Sequence, residues 1–200
     1  MQVRPFRGED TDAVYDVCLR TGASGEDATG QADVTLFGDV WAGPYLAVAP
    51  HLAYIAEDEQ GVAGYVLGAL DTRAFEAACE QSWWPPLRRR HEEPTGSPAT
   101  WTLPDRLAYL VHHPPQTPDD VLDGRPSHLH VNLLPRAQGQ GHGATLTATV
   151  LTALSSAGSP GVHLGVDPAN VRAQRFYVRQ GFAEIARDRD VVWLGRALPA

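Results

Sequence analysis

Hydrophobic and polar positions change period several times along the chain, and each change predicts an element. Residues 2–6 alternate over a short stretch and predict an edge strand. Val14, Tyr15, Cys18 and Leu19 recur at helical spacing, behind the acids Glu9, Asp10 and Asp12 that favour a helix N-terminus. A helix is therefore expected over about residues 10–20. Residues 21–32, rich in Gly, Ala, Asp and Thr, read as a loop, a short helix is expected over 32–41, and Gly43-Pro44-Tyr45 marks a turn. Residues 51–57 and 62–70 are apolar runs joined by Asp58-Glu59-Gln60-Gly61, a hairpin for the centre of a sheet. Ala63, Gly64 and Gly68 weaken its second strand, which predicts a bulge or the close approach of another backbone.

Residues 71–126 have the least regular pattern. A helix fits 72–82 and is stopped by Trp83-Trp84-Pro85-Pro86. A further short helix or strand fits 106–112, and 114–126 holds four prolines. This segment reads as an insertion that builds a lid or substrate wall, or as a surface elaboration with no catalytic task.

Regular pattern returns at residues 127–134, rich in β-formers and followed by a turn with Gly139, Gly141 and Gly143. An amphipathic helix then runs over 144–154. Residues 161–167 have the texture of an interior strand. Asp167 and Pro168 are placed to cap and open a helix that Gly181 closes, and 182–187 with 191–198 read as an antiparallel pair. The order strand, helix, strand, helix, hairpin predicts an α/β fold with a mixed central sheet flanked by helices. No internal repeat or linker divides residues 1–200, so one domain is expected.

Composition narrows the function classes. With 43% apolar and 20% charged residues the chain has the make-up of a globular domain, and its formal charge of −8 argues against nucleic acid as a partner. No run approaches the roughly 18 apolar residues of a membrane helix, and the first residues lack the apolar core of a signal peptide, so a cytoplasmic location is expected. The two cysteines, Cys18 and Cys79, have no metal-ligand spacing and read as reduced, buried thiols; no metal is expected. Oligomeric state is open.

The candidate chemistry lies in residues 127–146. Glycines at the end of a strand let the backbone approach a ligand, and the helix start aims unpaired N–H groups and a positive dipole end at it, a site for phosphate. The spacing fits neither a dinucleotide fingerprint nor a P-loop. A turn that only caps the helix is the alternative.

Arg136-x-x-Gly139-x-Gly141 after Val131 resembles the pyrophosphate motif of the GNAT superfamily of N-acyltransferases. A second run, Asn170, Ala173, Phe176, Tyr177, Gly181 and Phe182, resembles that superfamily's N-x-x-A-x-x-F-Y-x-x-x-G-F. Trp41 to Tyr45, residues 53–75 and Ser82-Trp83-Trp84-Pro85 are similar to the acetyltransferase-like C-terminal domain of O-GlcNAcase and its free-standing bacterial relatives.

The resemblance implies a GNAT-type sheet, acetyl-CoA as cofactor and an unidentified amine as substrate. It implies cofactor contacts from Val131, Asn132 and Leu133 on the strand, from Arg136, from Gln138, Gly139, Gln140, Gly141, His142, Gly143 and Ala144, and from Asn170, Phe176 and Tyr177. A wedge is expected to open between residues 130–134 and 161–165, with the pantetheine arm added to the strand. Tyr177 occupies the family position of the acid that protonates the departing thiolate, core packing being its alternative.

The base is less plainly marked. His128, His130 and Asn132 share one face of the strand, and His130 can accept a proton near neutral pH; a histidine satisfied within a sheet layer is the alternative. His163 and Asp167 are further candidates, although Asp167 is better explained as a cap. Tyr45, Trp83 and Trp84 are candidates for an aromatic substrate wall. An acyl-CoA-binding pseudoenzyme and a protein-interaction module stand beside the transferase reading.

Overall fold

The computed structural model describes residues 1–199. The chain forms β1 (Gln2–Pro5), α1 (Thr11–Leu19), α2 (Val34–Trp41), α3 (Gly43–Val48), β2 (Ala53–Asp58) and β3 (Gly61–Ala69). The segment expected to be irregular contributes α4 (Thr72–Ala78), α5 (Trp84–Arg88), α6 (Leu103–His112) and α7 (Asp119–Leu122). Then come β4 (Ser127–Leu133), α8 (His142–Ser156), β5 (Gly161–Val166), α9 (Val171–Arg179), β6 (Ala183–Arg187) and β7 (Val192–Ala197).

The strands make one mixed seven-stranded sheet in the order β1-β2-β3-β4-β5-β7-β6, in which only β4 and β5 run parallel. The β2–β3 hairpin lies second and third from the β1 edge, so β4 rather than the hairpin holds the centre. Alternation divides the core between the two faces. Val66, Leu129, Leu164 and Leu194 pack with Leu146, Val150 and Leu154 of α8, while Ile55, Tyr65 and Leu67 pack with α1, α2 and α6. Gly64 serves both expected purposes. Ala63 is skipped in the pairing with β2, and a Cβ on Gly64 would come within 2.7 Å of the Asn132 carbonyl of β4.

Three local expectations fail for related reasons. Gly43-Pro44-Tyr45 opens α3 instead of making a turn, since proline in a first helical turn forfeits no hydrogen bond. The same property lets the helix of the insertion run past Trp83-Trp84-Pro85-Pro86. The chain widens into a π turn over Cys79–Trp83, and the prolines fall in the first turn of α5. Asp167 and Pro168 lie in a turn ahead of α9, whose cap is Asn170, its side chain accepting from the Ala173 N–H at 2.9 Å.

Candidate active site

A cleft of about 1800 Å³ runs through the sheet from the glycine turn to the 71–126 segment. Its cause is a failure of pairing. Strands β4 and β5 are register partners only at Ser127↔Val162 and His128↔His163, and beyond His128 they part. This is the expected wedge.

On the side of the glycine turn the groups presented are mostly main chain. The Leu134 N–H donates to Ala63 of β3 at 2.8 Å, so by alternation the N–H and C=O groups of Val131 and Leu133 point the other way, into the wedge. Gln138 Nε2 donates to the Leu133 carbonyl at 2.6 Å, and the Val131 N–H meets the Tyr177 phenol. Gly139 and Gly141 have φ of +76° and +87°, and space around both is open where a Cβ would project. Gly141 is the N-cap of α8, so the N–H groups of His142, Gly143 and Ala144 have no helical acceptor. Gly143 is held close, a Cβ there reaching 3.0 Å from Leu133 and 3.3 Å from Phe176.

The polar side chains of this half are mutually braced. Arg172 donates to the Gln138 side-chain oxygen, and Gln140 Nε2 to the Arg136 carbonyl at 2.9 Å. Arg136 departs from its expected place against phosphate. Its guanidinium is engaged by Asp58 Oδ2 at 3.1 Å and by the Val62 carbonyl at 2.9 Å, which ties the turn to the β2–β3 hairpin. Phe176, Asn170 and the 6%-exposed Tyr177 line the wedge wall. Burial pushes the Tyr177 phenol well above its ordinary pKa, and the Val131 N–H works against that by stabilising a phenoxide.

The side toward the 71–126 segment is made of side chains. His128, His130 and Asn132 of β4 face it together with His163 of β5, Trp193 of β7, and Tyr45 and Phe75 from the helical layer. Tyr45 lies 5.4 Å from His128 and 6.5 Å from His130, both edge-on. Burial lowers all three imidazoles, His128 to about 3, to which the neighbouring His163 and His130 add. Beside His130, Asn132 opposes this by hydrogen bonding to its ring, and the Asn132 amide donates to Thr21 Oγ1. Asp167 is committed elsewhere. Its Oδ2 accepts from Ser24 at 2.5 Å and its Oδ1 from the Ala169 N–H at 2.7 Å, which hold the carboxyl below the usual range.

The aromatic wall is partly the expected one. Tyr45 and Trp84 line the cleft. Trp83 does not: its Nε1 donates to the Asp39 carbonyl at 2.9 Å, and its ring fills the space that a Cβ on Gly43 would take. A tryptophan with its one donor satisfied inside the helical layer is a packing residue. Thr72, Phe75 and Trp193 were not singled out by sequence, and no local pattern marks them. Trp193 reaches the cleft because its register partner Gly165 has no side chain.

No described group of three or more His, Cys, Asp or Glu can hold a metal, and no described helix is long and apolar enough to cross a membrane.

Known proteins share this architecture. The chain is 28% identical to rat (Rattus norvegicus) protein O-GlcNAcase over 201 residues, covering 98% of this chain and 22% of that protein. It thus spans about a fifth of that relative's length. It is 35% identical to mycothiol acetyltransferase of Frankia casuarinae over 136 residues, or 62% of this chain and 40% of that protein. The crystal structure of SsHAT superposes with a TM-score of 0.90 at 37% identity, covering 100% of this chain and 98% of that one. The model of the acetyltransferase (GNAT) family matches residues 28–182. With this match over most of its length, and with a splayed sheet and an open glycine turn, the chain belongs to the GNAT acetyltransferase family.

Proposed function

We propose that the protein is an acetyl-CoA-dependent N-acetyltransferase acting on a primary amine. The observation that carries this reading is the buried Tyr177 phenol beside Val131, a residue that β5 leaves unpaired, inside a wedge that opens toward the glycine-turn start of α8. The pyrophosphate would lie on the N–H groups at residues 138–144. The pantetheine arm would add to β4 through Val131 and Leu133, bringing the thioester sulfur to Tyr177.

The arriving ammonium first gives a proton to His130, which Asn132 orients, and His130 passes it to solvent. The amine lone pair then forms the N–C bond at the thioester carbonyl and the C–S bond breaks. The thiolate takes the phenol proton of Tyr177, and the proton shed by the new amide nitrogen restores the phenol through solvent. A phenol held above its ordinary pKa is protonated throughout the working range, as an acid must be. Burial likewise keeps His130 uncharged and able to accept.

One observation favours a second reading, an acetyl-CoA-binding protein without transferase activity. The acceptor-side imidazoles are all lowered, and their ring nitrogens are met by a hydroxyl, a carbonyl and an amide rather than a carboxylate. Calorimetry with acetyl-CoA followed by a thiol-release screen separates the two. The screen uses a lysine peptide, glucosamine, spermidine and an aminoglycoside. Tight binding with thiol release above solvent hydrolysis on one of these classes supports the transferase; binding with no release on any class supports the second reading.

A further inference from the structure

The acceptor side carries two imidazoles that the reaction just described does not use. His128 and His163 are the last register pair before β4 and β5 part, with ring centroids 5.7 Å apart. Each ring is held through Nδ1. Thr72 Oγ1 lies 2.7 Å from His128 Nδ1 and gives its single proton to the Pro126 carbonyl at 2.7 Å, so the imidazole is the donor of that contact. His163 Nδ1 faces the Arg125 carbonyl at 2.8 Å, which can only accept.

Both rings are therefore Nδ1–H tautomers whose Nε2 carries a lone pair. Neither Nε2 has a hydrogen-bond partner among the described residues, and both residues line the cleft. Tyr45 and Phe75 stand edge-on to His128, at 5.4 and 5.1 Å, and Trp193 lies 6.0 Å from His163, so neither ring is free to turn.

We propose that His128 and His163 form the amine subsite, each Nε2 accepting one N–H of the acceptor nitrogen, with Thr72 as the positioning residue that fixes the His128 tautomer. The proposal rests on the transferase reading and deepens it. A neutral primary amine has two N–H bonds and one lone pair. Two fixed acceptors take both N–H bonds and leave the lone pair as the only valence directed at the thioester. A secondary amine or a hydroxyl satisfies one acceptor and leaves the other desolvated and unpaired, and buried polar groups left unpaired discriminate strongly. The subsite is therefore specific for unsubstituted primary amines. It needs no carboxylate, because the ammonium has already been discharged at His130.

Benzylamine and N-methylbenzylamine, which differ by one N–H, test this on the full chain. Wild type should acetylate benzylamine with kcat/KM at least about 100-fold above the methylated amine, on the scale by which a missing hydrogen bond is read. His128→Phe and His163→Phe keep a flat ring in place. Each should bring that ratio below about 10 while leaving acetyl-CoA affinity unchanged; a ratio preserved in both variants overturns the proposal. A second measurement does not depend on turnover. In protein with ¹⁵N-labelled histidine and bound CoA, long-range proton–nitrogen spectra should show both residues as Nδ1–H tautomers. Benzylamine at a pH where it is neutral should shift both Nε2 signals, with N-methylbenzylamine shifting them less, and Thr72→Val should change the His128 tautomer alone. An Nε2–H tautomer at His128, or no shift at either Nε2, overturns the subsite. If the spectra are as expected and no amine is acetylated, the transferase reading fails and the subsite stands.

Discussion

The two halves of the cleft present different kinds of chemistry. The half at the glycine turn offers main-chain N–H groups, from Val131 and Leu133 on β4 and from the first turn of α8, and its side chains are braced against one another. The other half offers side chains that converge from α3, α4, β4, β5 and β7. The first half depends on backbone conformation, which a few adjacent residues specify. The second depends on register and packing, which no single stretch specifies. The two should therefore break in different ways: a change in the main-chain groups of the first half should remove binding of acetyl-CoA, while a change at Tyr177, where the halves meet, or among the side chains of the second half should remove turnover and leave binding intact.

The largest effect is expected at Gly141. At φ +87° a branched residue strains the turn by roughly 1–2 kcal/mol and projects into the open space above α8. Gly141→Val should weaken acetyl-CoA binding by more than about 100-fold, a loss of roughly 3 kcal/mol, as read by calorimetry. Unchanged affinity would remove the pyrophosphate from this turn.

Next is Tyr177→Phe. The ring keeps its contacts with Phe176 and Phe182, at 5.0 and 5.5 Å, so affinity for acetyl-CoA should be retained. Turnover should fall by about 10²- to 10⁴-fold, the range of a positioned general acid, or roughly 3 to 5 kcal/mol of barrier. Retained turnover would make Tyr177 a packing residue and leave the two halves without a catalytic link.

Acid should act on the histidine half. His128 takes up a proton near 6.5 when unfolded and near about 3 when folded, so between these values the unfolded chain binds more protons. The stability present above pH 6.5 is lost as pH falls, at up to about 1.4 kcal/mol per pH unit for this group. His130 and His163 are shifted in the same direction. Denaturant unfolding at a series of pH values should show a shallower slope for His128→Phe than for wild type; equal slopes would mean that the ring is charged in the folded protein.

Arg136 should matter least. Its ion pair with Asp58 is partly exposed, the two side chains being 27% and 23% accessible, so Arg136→Ala should cost about 1 kcal/mol of stability or less. Its effect on acetyl-CoA affinity should stay below about tenfold. A larger loss in calorimetry would mean that the guanidinium leaves Asp58 for the phosphates.

Legibility followed the same division. The strand over 127–133, the glycine turn and α8 were all readable, because a strand period, left-handed glycines and a helical stripe are written in consecutive residues. The prolines at 44, 85 and 86 were readable as punctuation but not as its kind, since a proline that ends one helix and a proline that begins another are the same residue. His128 could be placed on the same face as His130 by alternation alone. Its partner Thr72 lies 56 positions earlier, and nothing in either stretch announces the contact. Trp83 and Trp84 are adjacent and alike in sequence, yet one donates to Asp39 in the helical layer and the other lines the cleft.

The sequence by itself determined most of the strands, the position of the glycine turn with the helix after it, and the family, since each rests on residues close together along the chain. Tertiary structure alone decided where β4 and β5 part, which imidazole nitrogens remain free, that Arg136 is tied to Asp58, and that Trp193 reaches the cleft over Gly165. These depend on strand register and on which side chains a fold brings into hydrogen-bonding distance. A contact between residues far apart in the chain exists only once the whole sheet has set that register.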